Sequence, residues 1–99
     1  MKVSGVKLKN VKTDEITTVD CAGIFVAVGR VPDTEIYSDK LELDGSGYIV
    51  ADETCRTNVP GVFAAGDVRT KPLRQIVTAC ADGATAVKFA EEWLAEIAE

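Results

Sequence analysis

Apolar and polar residues alternate near the start of the chain: Val6 and Leu8 interleave with Lys7 and Lys9, and Ile16 and Val19 follow the polar stretch Lys12-Thr13-Asp14-Glu15. A period of two puts one side of a strand on water, and the polar stretch suits a turn. Residues 3–20 therefore predict a solvent-facing β-hairpin. Residues 22–29, Ala-Gly-Ile-Phe-Val-Ala-Val-Gly, are apolar on both faces. That is the pattern of a buried strand covered on both sides. Pro32-Asp33-Thr34 has turn chemistry that fits either a crossing between structural units or a short loop within one. A second hairpin is predicted from residues 41–43 and 48–51, which flank the turn Asp44-Gly45-Ser46-Gly47. Another apolar run, residues 62–65, reads as a second buried strand and closes at Gly66-Asp67.

From about Arg74 to Ala98 the period changes to that of a helix, with Ile76, Cys80, Gly83, Ala84, Val87, Leu94 and Ile97 near one face. This long C-terminal helix is the strongest element in the pattern. Its first half is rich in small residues, which allows close approach to a sheet or ligand. Phe89 and Trp93, four residues apart, form a second apolar patch. Ordinary core explains that patch; so does a subunit contact, since one helix in a small domain seldom buries two faces internally. The elements add up to an α/β chain: β-hairpins, two buried strands and one long helix.

At 99 residues the chain has room for one small domain. Eleven basic against sixteen acidic residues give a net charge of -5, which argues against nucleic acid or an anionic membrane as a partner. No run approaches the roughly 18 apolar residues of a membrane span, and the first residues alternate instead of forming a signal-peptide core. A cytoplasmic location is the expectation. Cys21, Cys55 and Cys80 form no Cys-x-x-Cys pair, and the chain has no histidine. Ser-His and Cys-His nucleophile pairs and His-containing zinc motifs are thereby excluded; no metal site is expected.

The candidate chemistry lies between residues 62 and 77. In open α/β sheets ligands sit beyond the carboxyl ends of strands, and Gly66-Asp67 occupies such an end. A carboxylate there can accept hydrogen bonds from sugar or polyol hydroxyls; Asp67 as a mere turn cap is the plainer alternative. Seven residues on, Arg74, Gln75 and Ile76 open the helix, whose free amides and positive dipole end suit an electron-rich group such as the N1 and C2 carbonyl edge of a reduced flavin. Arg74 as a solvated residue at a helix start is the alternative there, although a cation is slightly unfavourable at that end.

Three motifs carry a resemblance. Ile24-Phe-Val-Ala-Val-Gly-Arg-Val-Pro-Asp-Thr34, Thr57-Asn-Val-Pro-Gly-Val-Phe-Ala-Ala-Gly-Asp67 and Arg74-Gln-Ile-Val-Thr-Ala79 resemble, in order and spacing, successive motifs of the bacterial-type, low-molecular-weight thioredoxin reductases. The likeness runs from about Val3 to Leu94. It implies part of a two-dinucleotide-binding flavoprotein fold, with residues 1–33 as terminal strands of an NADPH-domain-like region and residues 34–99 as the C-terminal segment of an FAD-domain-like region. It implies further that Gly66 and Asp67 contact the ribityl and phosphate portion of FAD, that Arg74, Gln75 and Ile76 lie along the isoalloxazine, and that the chain forms a homo-oligomer. In the parent, hydride passes from NADPH to flavin and electrons pass through a dithiol to thioredoxin.

Both dinucleotide fingerprints and the redox-active Cys-x-x-Cys are missing from these 99 residues, so no catalytic residue is assigned. The expectation is a C-terminal fragment of an NADPH-dependent FAD disulfide reductase, with weak or no FAD binding by itself and no turnover. A cofactor-free dimerising interaction module is the alternative from another class. A further alternative is a parent of the same architecture, such as the alkyl hydroperoxide reductase subunit or a ferredoxin-NADP reductase, although Arg74-Gln75 and the preceding Pro72-Leu73 lean towards thioredoxin reductase.

Overall fold

The computed structural model describes residues 2–99. The first hairpin forms as the alternation predicts. Strand β1 (Gly5–Lys9) pairs antiparallel with β2 (Ile16–Asp20), Gly5 opposite Asp20 and Lys9 opposite Ile16. The turn between them is built by Asn10, whose side-chain oxygen accepts the Lys12 and Thr13 amides at 2.9 and 3.2 Å. Asp14 takes the left-handed backbone, φ 59°, which Asp tolerates better than most residues.

Residues 24–28 differ from expectation. They pair in no ladder, and Phe25 and Val28 are almost wholly exposed. A strand that is apolar on both faces needs neighbouring strands on its edges and a layer on each side, and nothing among the described residues supplies either. The second apolar run also fails to become a sheet strand. Phe63 instead bridges Arg56 antiparallel, and the Ala64 amide donates to the Cys55 carbonyl at 2.9 Å. Cys55 makes this reversal in the left-handed region, φ 65°.

The second hairpin closes around Asp44, whose carboxylate accepts the Ser46 and Tyr48 amides at 2.8 and 2.9 Å. Ile49 is its centre: it bridges Leu43 on one side and Arg69 on the other, and it is buried. Ile49, Cys55 and Ala64 form a small apolar core, joined by buried Thr34, whose hydroxyl donates to the Gly47 carbonyl.

The helix α1 (Ile76–Ile97) follows. The Gln75 amide donates to Thr78 Oγ1 at 2.9 Å, satisfying one N-terminal donor. Its two faces exchange the roles that periodicity suggests. Ile76, Val87, Leu94 and Ile97 are exposed, whereas Ala79, Asp82, Phe89 and Trp93 are half-buried against the chain's own loops. The Arg56 guanidinium lies 5.3 Å from the centre of the Phe89 ring. Trp93 sits over Gly61, where a Cβ would come within 2.7 Å of the indole. Phe89 and Trp93 are thus intramolecular packing residues and not the spare patch that a subunit contact requires. The mixed α/β class holds, with two paired strands and one long helix, but the two anticipated buried strands are absent. No described helix is long and apolar enough to cross a membrane.

Candidate functional site

The site begins at a tight turn, Gly66–Val68, one step of 3-10 helix after the Phe63-Ala64-Ala65 run. Gly66 is buried with φ 80°, a conformation that L side chains rarely adopt. Its amide donates at 3.0 Å to Asp82 Oδ2 on α1. The same oxygen accepts Lys71 Nζ at 2.6 Å, and Asp82 Oδ1 faces Arg69 at 3.6 Å. Burial pushes the Asp82 carboxyl up, but the Lys71 and Gly66 hydrogen bonds and the Arg69 charge outweigh it and hold the group below the usual carboxylate range. Arg69 is itself buried and donates to the Ala51 and Asp52 carbonyls at 3.1 and 2.9 Å and to Cys55 Sγ at 3.3 Å. Burial raises the Cys55 thiol despite the cation beside it, as befits an inert packing cysteine.

Asp67 follows on this fixed turn. Its Oδ2 pairs with Arg30 at 3.2 Å, while Oδ1 is shielded from solvent and has no hydrogen-bond partner. A shielded carboxylate oxygen without a donor is costly in isolation and satisfied by a ligand hydroxyl or amide. Asp67 also borders two shallow grooves. One, of about 390 Å³, is shared with Gln75, Ile76, Ala79 and Cys80; the other, of about 240 Å³, includes Arg30, Tyr48 and Arg74.

Of the five residues singled out from the sequence, Asp67, Gln75 and Ile76 line the first groove, and Gly66 is the buried residue before Asp67. Arg74 turns to the second. Its guanidinium stacks 3.6 Å from the Tyr48 ring centre and donates to the Asp67 and Arg69 carbonyls at 3.1 and 3.0 Å. Arg74 is therefore neither a solvated helix-start residue nor free to reach into the first groove; it clamps the loop that carries Asp67. Sequence reasoning missed Arg69, Lys71 and Asp82. One signal was available: Asp82 is the only acidic residue between Asp67 and Glu91, set in a helix of small and apolar residues.

Comparison with known proteins shows the family. Residues 1–83 match the family model described as pyridine nucleotide-disulphide oxidoreductase. A thioredoxin reductase of Peptoclostridium acidaminophilum is 54% identical over 72 residues, covering 73% of this chain and 23% of the relative. That of Chlamydia pneumoniae is 50% identical over 93 residues, covering 93% and 30%. The crystal structure of Lactococcus lactis thioredoxin reductase in its FR conformation superposes with a TM-score of 0.74 at 47% identity, covering 94% of this chain and 31% of that one. The chain thus spans less than a third of the length of these relatives.

Proposed function

The chain belongs to the pyridine nucleotide-disulphide oxidoreductase family and is similar to thioredoxin reductases over about 30% of their length, and we propose that it is a C-terminal portion of such a protein and contributes one wall of the FAD site of an NADPH-dependent disulfide reductase. The observation that carries this reading is that Asp67, whose Oδ1 is shielded and unpartnered, lines a groove together with Gln75 and Ile76 at the start of α1. In this reading Gly66 lets the backbone approach the ribityl and phosphate portion, Asp67 accepts its hydroxyls, and Gln75 and Ile76 line the isoalloxazine end. Arg74 acts by fixing the Asp67 loop, and its charge stays near the flavin. When bound, FAD supplies the two-electron relay between a nicotinamide and a dithiol.

Residues 1–33 would then complete an NADPH-binding region and residues 34–99 an FAD-binding one. Reduction of thioredoxin requires a dithiol, and Cys21, Cys55 and Cys80 form no Cys-x-x-Cys pair. Self-association belongs to the same proposal: the exposed apolar face of α1, with Val87 and Leu94, is suited to a second subunit.

Quenching of flavin fluorescence on titrating FAD with the chain tests the reading. Weak, saturable binding is expected, and Asp67→Ala should weaken it about tenfold, the loss of roughly one hydrogen bond to a charged group. A titration indistinguishable from free FAD, or equal affinity in both proteins, would overturn it.

A further inference from the structure

Asp82 lies on the second turn of α1 and touches neither groove, yet it joins the three segments that form them. Its Oδ2 accepts the Gly66 amide at 3.0 Å and Lys71 Nζ at 2.6 Å, and its Oδ1 faces Arg69. Lys71 reaches on to the Thr78 carbonyl at 3.4 Å, in the first turn of the helix. The Gly66 turn, the loop after it and the helix start are thus tied to one carboxylate. The three charged side chains are each less than a fifth exposed, so water competes weakly for these bonds.

Gly66 is where the geometry is most demanding. Gly66 is buried with φ 80°, and a buried amide needs an acceptor. Among the described residues no backbone carbonyl takes that role; Asp82 Oδ2 does. Asp67 is the next residue, so the direction of its carboxylate follows from how Gly66 is held.

We infer that Asp82 is the positioning residue of the ligand site: it fixes the Gly66–Asp67 turn against α1 and thereby aims Asp67, without itself touching ligand. The inference rests on the flavin reading for the identity of the ligand but not for the hold on the turn. Lys71 and Arg69 balance the charge that this role places in a sheltered position.

Two variants separate the components. Asp82→Asn keeps an oxygen acceptor for the Gly66 amide and loses the charge; Asp82→Ala loses both. Amide hydrogen exchange of the full chain reads the hold directly. Gly66 exchange should accelerate at least tenfold more than that of the amides of residues 86–93 in Asp82→Ala, and clearly less in Asp82→Asn. FAD affinity, measured by flavin fluorescence, should fall in the same order. Unchanged Gly66 exchange in Asp82→Ala overturns the inference, as does wild-type FAD affinity in a variant whose Gly66 amide is freed. If general helix exchange rises equally with that of Gly66, Asp82 is only a stability residue and the inference also fails. A wild-type chain that binds no FAD refutes the flavin reading alone, and Gly66 exchange still decides the role of Asp82.

Discussion

At the scale of single residues, the Asp82 cluster shows how a charge survives in a sheltered place. Removing its carboxylate leaves Lys71 and Arg69 sheltered without their counter-charge, and Asp82→Ala should cost roughly 2–4 kcal/mol of folding stability. The pH dependence follows from the lowered Asp82 value. The unfolded chain holds this proton more tightly than the folded one, so the stabilisation is fully present above the ordinary carboxylate range and is lost as pH falls through the lower, folded value. Melting temperature followed by circular dichroism should therefore drop as pH falls below the ordinary carboxylate range. The drop should be smaller in Asp82→Asn, where only groups such as Asp52, held down by the Thr54 hydroxyl, continue to contribute.

Residue-scale chemistry was legible where it was local. Gly66-Asp67 reads as the close of an apolar run and Gln75-Ile76 as a helix opening; the run forms no sheet strand, yet Asp67, Gln75 and Ile76 do meet in one groove. Arg74 was recognised as unusual for a helix start, but its true neighbours, the Tyr48 ring and the Asp67 and Arg69 carbonyls, depend on a loop path that no spacing encodes. The Asp82 hold on Gly66 joins residues sixteen apart and is invisible to any short motif.

At the scale of elements, the helix is the instructive case. Its existence follows from composition and period, and its start is set by Gln75 and Thr78. Which face it buries does not follow, because both faces are apolar and the choice is made by the loop at residues 56–61. Gly61 is the residue that admits Trp93: it has φ 80°, and a Cβ would stand 2.7 and 2.8 Å from two indole carbons. Gly61→Ala combines backbone strain with a clash against a rigid ring, and it should destabilise the chain by about 2–4 kcal/mol in chemical denaturation. Substitution of Val87 by Lys on the exposed face should change monomer stability by less than about 0.5 kcal/mol. Equal costs at the two positions would mean that the helix docks by its other face.

At the scale of the whole molecule, the chain is extended. Its radius of gyration is 20.2 Å, with extents of 67 × 26 × 26 Å, against about 13 Å for a compact domain of this length. Its core is correspondingly small. The run at residues 24–28 accounts for much of the mismatch between pattern and structure: the sequence there is written for burial on both sides, and the partners that would bury it are not among these residues. An uncharged, proline-free β-type segment left open associates readily. Light scattering should show association that rises with concentration, and Phe25→Lys should reduce it without altering the helical signal. A wild-type chain that stays monomeric at millimolar concentration would remove both the self-association proposal and the importance given to this run.

Trp93 is the only tryptophan in the chain, and it rests on Gly61 at the end of α1 opposite Asp82 and the Asp67 groove. Its emission therefore serves as a built-in gauge of whether the helix is seated. A ligand that displaces the helix start would register there through a rigid rod more than five turns long, whereas one that fills the groove without moving α1 would leave the indole spectrum unchanged.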